Sequence, residues 1–215
     1  FLRKNQRGTT CENSIMRWLD FLFPPRVDEI AVRDIPTDAF LALLDPRLVL
    51  EARLGAVSLL PYADARVRAA IHEAKYRGNV RAFDLLALAL ADYLRDADDI
   101  RAPVIVPVPL GRERYRERGF NQIEEVARRA GGALGILVDA ALLKRTRETV
   151  SQVSLPKEKR EENMRGAFKA MRSVDASLTY LLIDDVITTG ATLRAAASAL
   201  KEAGVTHLIT LALAH

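Results

Sequence analysis

Two acids sit side by side at the end of an apolar run. Tyr180 to Ile183 reads YLLI, Asp184 and Asp185 follow, and after Val186 and Ile187 comes Thr188-Thr189-Gly190-Ala191-Thr192. Adjacent carboxylates repel, and a buried-looking strand is a costly place for them unless something binds there. An ionised carboxylate only accepts hydrogen bonds, so its natural ligands are hydroxyls such as the ring diol of a ribose. Thr188, Thr189 and Thr192 supply hydroxyl donors, and Gly190 lets a backbone approach closely. A helix starting there would add unpaired N–H groups and a partial positive charge, which suit a phosphate. Diol and phosphate together imply a ribose 5-phosphate. A plain turn capped by threonine would explain the threonines but not the acids. Other phosphate motifs are missing: there is no GxxxxGK[ST], and no GxGxxG follows a strand.

The elements that would hold these residues are legible around them. LRAAASALKEAG, after the threonines, has helical spacing and stops at Gly204, and HLITLALA is a second strand. Strand, helix and strand form a βαβ unit, so the two strands are expected to be parallel with a right-handed crossover. Ligands of such sheets bind beyond the carboxyl ends of the strands, where the Thr188–Thr192 turn lies. APVIVPVPL (102–110) is a further buried strand that runs out at Pro107 and Pro109 into an Arg-dense loop, GRERYRERGFNQ. IEEVARRAGGAL is then a helix closed by Gly131-Gly132. Upstream, AVSLLPY is a short strand. Asp64 caps a helix whose Val67, Ala70, Ile71 and Ala74 form one apolar stripe, ending near Gly78. Residues 80–96 form a second, well-buried helix. Residues 17–50, broken at Pro24-Pro25 and Pro46, allow one or two short helices. Residues 144–172 have no strong period and are expected to be a long loop with at most a short helix. The expected class is α/β: a mainly parallel open sheet with helices on both faces.

Bulk properties narrow the function. The chain of 215 residues is long enough for one well-packed domain with a small appendage. No apolar run approaches the roughly 18 residues of a membrane span. Cys11 is the sole cysteine, which excludes an internal disulfide or a cysteine-based zinc site and fits a reducing cytoplasm. Net charge is +4, yet Arg112–Arg172 holds fifteen Lys/Arg against nine Asp/Glu, so the basic surplus is concentrated there. That suits an anionic ligand, although a solvated, salt-bridged surface gives the same count. Residues 1–15 are expected to be a disordered extension. His72 sits between apolar helix positions and is expected to be packed or half-exposed. His207 and His215 have no metal-ligand spacing with anything, and Trp18, Phe21, Phe23 and Phe120 are expected to pack.

LLIDDVITTGAT resembles the signature of the type I phosphoribosyltransferases, which bind 5-phosphoribosyl 1-diphosphate (PRPP). VPVPLGRERYRERGFNQ, AIHEAKYRGN and KRTRETVSQVSLPKEKREENMRGAF resemble segments of the ComF family of late-competence proteins. Together these stretches cover residues 56–215. Many members carry a Cys-rich zinc ribbon after an LFPP-type opening. Here LFPPR is followed by VDEIAVRDIPTDAF, without cysteine.

The resemblance implies a type I phosphoribosyltransferase fold over 56–215, with residues 16–55 as an N-terminal helical arm or hood that recognises the acceptor. It implies that Asp184 and Asp185 hold the ribose hydroxyls and that Thr188, Thr189, Gly190, Ala191 and Thr192 hold the 5-phosphate. Pyrophosphate is expected near Leu110 and Gly111 with an arginine such as Arg112 or Arg118. Arg145, Gln152 and Arg160 are expected from a lid over 144–166, and Lys75 from the N-terminal side. Mg2+ would come with PRPP, without a dedicated protein cage. The implied activity is displacement at the anomeric carbon of PRPP in the cytoplasm, linked to competence and DNA uptake. The alternative is a non-catalytic factor using the site for regulation or for single-stranded DNA, with DNA-uptake or recombination proteins as partners. The acceptor and the oligomeric state stay open.

Overall fold

The computed structural model describes residues 26–49, 55–97, 100–147, 164 and 166–215. The expectations for residues 1–15, Trp18, Phe21, Phe23, Gln152 and Arg160 lie outside the described residues. A six-stranded sheet runs in the order β1-β2-β8-β7-β3-β4. Its strands are β1 (Arg47–Val49), β2 (Ala56–Leu60), β3 (Pro103–Pro107), β4 (Leu137–Val138), β7 (Thr179–Val186) and β8 (His207–Ala214). β1 is antiparallel to β2, and every other pairing is parallel. The α/β expectation therefore holds, with an antiparallel edge strand added.

Alternation along the central strands builds two cores, one on each face of the sheet. Leu181 and Ile183 of β7, Ile105 of β3 and Leu211 and Leu213 of β8 face one cluster. Tyr180 and Leu182, Val104 and Val106, and Ala212 face the other. The first face is covered by α3 (Ala65–Arg77), α4 (Val80–Arg95) and α6 (Gln122–Leu134), and the second by α7 (Ala191–Glu202). Asp64 caps α3 by accepting from Arg66 N–H at 2.8 Å, and Asn79 caps α4 through Ala82 N–H at 3.2 Å. The stripe Val67, Ala70, Ile71, Ala74 is buried as its spacing predicts.

Two short helices, α1 (Val27–Asp34) and α2 (Thr37–Leu41), lie over α3 and α4. Val32 and Phe40 are fully buried in the first core. Arg81 of α4 donates to Ile35 O at 2.8 Å and Thr37 Oγ1 at 3.0 Å. Glu73 of α3, 1% exposed, accepts from Arg26 at 3.1 Å and from Asn79 Nδ2 at 3.2 Å, so its charge is paired.

Three sequence expectations need correction. The Arg-dense loop is a helix, α5 (Arg112–Arg118), ended by Gly119 in the left-handed region. Glu113 in its first turn and Arg116 and Arg118 in its last match the helix dipole, but none of its residues is buried, so no apolar period marked it. Helix α6 does not stop at Gly131-Gly132. It continues to Leu134 and ends at Gly135, with φ of 69°. A Cβ at Gly131 would lie 2.6 Å from Val138 Cγ2 and 2.8 Å from Ile136 O, so this glycine serves close packing rather than termination. Within 144–172, β5 (Leu143–Arg145) pairs antiparallel with β6 (Phe168–Ala170), a short ladder without enough length to show alternation. Among the described residues no helix is long and apolar enough to cross a membrane.

Candidate functional site

The carboxyl ends of β7 and β3 open into a cleft of about 640 Å3. β7 delivers Asp184 and Asp185 there, and Ile187 is tied to β8 by its N–H to Ala214 O at 3.0 Å. The chain then turns through Gly190, at φ of 67°, straight into α7, which has no side-chain cap. That left-handed conformation is cheap only for glycine. Arg194 braces the turn, its Nη1 donating to Thr189 O at 2.8 Å and its N–H to Gly190 O at 2.9 Å.

Alternation parts the two acids. Asp185 continues the side of Leu181 and Ile183, towards α3 and α6, and Asp184 turns to the side on which α7 packs. Asp185 Oδ2 accepts from Gln122 Nε2 at 2.8 Å and from Lys75 Nζ at 3.1 Å, and its Oδ1 from Val186 N–H at 2.7 Å. Gln122 Oε1 in turn accepts from Arg118 Nη1 at 2.9 Å. Arg118 and Lys75 both lie near the Tyr76 ring, 5.1 and 6.0 Å from its centre. Asp184 Oδ1 accepts from Asp185 N–H at 2.9 Å.

These surroundings separate the two titrations. Burial first, then the negative charge of Asp185, pushes the Asp184 carboxyl up to about 8. Burial also acts to raise Asp185, but the Lys75 charge and the hydrogen bonds from Lys75, Val186 and Gln122 outweigh it and hold this carboxyl below the usual range. Burial lowers the Arg118 guanidinium.

Most of the sequence-predicted residues meet here. Asp184, Asp185, Thr188, Thr192, Leu110, Arg118, Lys75 and Arg145 line the cleft. Thr189, Gly190 and Ala191 do not line it, and Thr189 and Ala191 are buried under the turn, so these positions offer backbone rather than side chain. Gly111 precedes α5 as its N-cap. Arg112 lies outside the cleft, in a neighbouring hollow of about 630 Å3 with Tyr115, Arg116 and Lys144. Gln122, Tyr76, Arg114 and His215 also stand in the cleft wall, unpredicted from sequence. Gln122 closes the quoted RGFNQ motif, which was the one signal for it. His72 is half-exposed, 3.1 Å from Asp28, and Phe120 packs edge-on against Phe83.

An acid pair and a helix start without a side-chain cap thus meet at the carboxyl end of a mainly parallel sheet. Residues 80–215 match the family model of the phosphoribosyl transferase domain, and the chain belongs to that family. The ComF resemblance of the motifs is borne out by its relatives. Competence protein F of Haemophilus influenzae is 34% identical over 124 residues, covering 56% of this chain and 54% of that protein. DNA utilization protein YhgH of Salmonella typhi is 32% identical over 138 residues, covering 62% of this chain and 60% of that protein. The matches thus span little more than half the length of these relatives. A solved structure, the glutamine PRPP amidotransferase of B. subtilis, aligns with 66% of this chain and 30% of its own at 21% identity and a TM-score of 0.43.

Proposed function

We propose that this cleft binds PRPP, or a related ribose 5-phosphate, and supports displacement of pyrophosphate from the anomeric carbon. The observation that carries the proposal is one cleft shared by Asp184 and Asp185, by Thr188 and Thr192 at the start of α7, and by Leu110 and Arg118 after β3. The acid pair forms the ribose end of the site. The 5-phosphate takes the hydroxyls of Thr188 and Thr192 and the backbone N–H groups of the Thr189–Ala191 turn, in charge-assisted hydrogen bonds worth about 1.5–3 kcal/mol each. Pyrophosphate lies against Leu110, Gly111 and Arg118.

Mg2+ keeps most of its ligands as water and ligand oxygens, so it would arrive with PRPP rather than in a protein cage. Bound with PRPP, it would supply neutralisation of the leaving group. The chain's own contribution is to orient the sugar and place cationic charge beside the departing oxygens. Arg145 reaches the cleft from β5. The α1–α2 layer over α3 is the proposed acceptor hood.

Relatives are named for competence and for DNA utilization, and a role of that kind in the cytoplasm is part of the proposal. A second reading, a non-catalytic DNA-handling factor, is favoured by one observation. Tyr115, 51% exposed, stands among the arginines of α5, an arrangement that suits base stacking. Single-strand affinity falling steeply with salt would support it.

The test of the first reading is a thermal-shift titration with PRPP and Mg2+ on the native chain and on the Asp184→Asn/Asp185→Asn double variant. Ligand at a hundred times its Kd stabilises by about 2.7 kcal/mol. In a chain of this size that raises Tm by about 2–4 °C per kcal/mol. The double variant is expected to lose the shift. An equal shift in both proteins, or none in the native chain, sinks the proposal.

A further inference from the structure

The two acids are not equivalent. Asp185 already accepts three hydrogen bonds, from Val186 N–H, Gln122 and Lys75, against roughly four lone-pair positions on a carboxylate. It is the centre of a chain Lys75–Asp185–Gln122–Arg118 that ties together α3, β7, α6 and α5. Among the described residues the one N–H that Asp184 accepts is that of Asp185, on Oδ1, and its other close neighbour is the Asp185 carboxyl, so Oδ2 has no N–H donor. Strand alternation also sets Asp184 on the side of α7, where the threonine turn begins. Lys75 is different again. Its ammonium has three donors. Asp185 takes one, and the side chain, 25% exposed, lines the cleft.

We propose that Asp184 alone receives the ribose diol, and that Asp185 is a positioning residue that holds Lys75 ready for the pyrophosphate end of the ligand. This rests on the PRPP reading and divides its labour. Asp185 acts through Lys75: it fixes the ammonium at one point of the cleft wall and leaves two N–H donors for anionic oxygens. Gln122 and Arg118, on the same hydrogen-bonded chain, keep Asp185 from turning to the sugar. The pyrophosphate end is then met by Lys75 and Arg118, both gathered at Tyr76.

The experiment is calorimetric titration of the full chain with two separate probes, ribose 5-phosphate and Mg2+-pyrophosphate. It compares the native protein with Asp184→Asn, Asp185→Asn, Lys75→Met, Lys75→Arg and the Lys75→Met/Asp185→Asn pair. Asp184→Asn is expected to weaken ribose 5-phosphate by about tenfold or more and to spare pyrophosphate. Lys75→Met and Asp185→Asn are expected to do the reverse, by about tenfold or more. The pair should be no worse than Lys75→Met, because one residue acts through the other. Lys75→Arg should restore much of the pyrophosphate affinity. A merely structural Asp185 would weaken both probes together, and that result overturns the inference. So does a Lys75→Met variant with native pyrophosphate affinity, or an Asp185→Asn variant that loses ribose 5-phosphate as Asp184→Asn does. If the native chain binds neither probe, the PRPP reading itself fails.

Discussion

Asp184 gives the molecule a pH signature. Its carboxyl is raised to about 8 by burial and then by Asp185, from an ordinary value of 3.8. Between these values the folded state holds a proton that the unfolded state has released, so stability falls as pH rises through that window. Asp185 is shifted the other way, held low by Lys75, and its contribution is lost only at acid pH below the ordinary carboxylate value. The native Tm is therefore expected to drop between pH 5 and 8 relative to Asp184→Asn, with the two curves converging below about pH 4. Parallel curves across the range would remove the raised carboxyl. The acids were readable from sequence because apolar neighbours make a charged pair conspicuous. Gln122, which fixes one of them, was not, because its partner is distant in the chain and an amide in a helix leaves no pattern.

Element by element, the βαβ unit around β7 was legible because each strand is long enough to alternate or run apolar and each helix has a stop. The Arg112–Arg118 helix was hidden for the opposite reason: nothing in it is buried. Adjacent glycines in α6 show how one residue type carries two meanings. Gly131 is pressed against Val138 and the Ile136 carbonyl, whereas a Cβ at Gly132 would meet nothing within 4 Å. Gly131→Ala is expected to destabilise by about 1–3 kcal/mol through overpacking. Gly132→Ala is expected to stabilise by about 0.5–1 kcal/mol through helix propensity. Urea midpoints of the two variants should move in opposite directions, and movement in the same direction would contradict the packing described for α6.

At the scale of the molecule, α1 and α2 share the first core with α3 and α4 rather than forming a core of their own. Phe40→Ala is accordingly expected to cost about 3–5 kcal/mol of global stability. It should lower a single cooperative urea transition. A separate early transition confined to α1 and α2 would show an independent unit. The sequence marked only short helices here, since the contacts that bury Val32 and Phe40 come from residues far along the chain. The strand order has a kinetic consequence. β8 lies between β2 and β7, and Val57 of β2 is in register with Leu211 of β8 across most of the chain. Closing so long a loop before any pairing rewards it makes folding slow. During synthesis β1 and β2 wait beside an open sheet edge until β8 has left the ribosome, and chaperone dependence should concentrate in that interval.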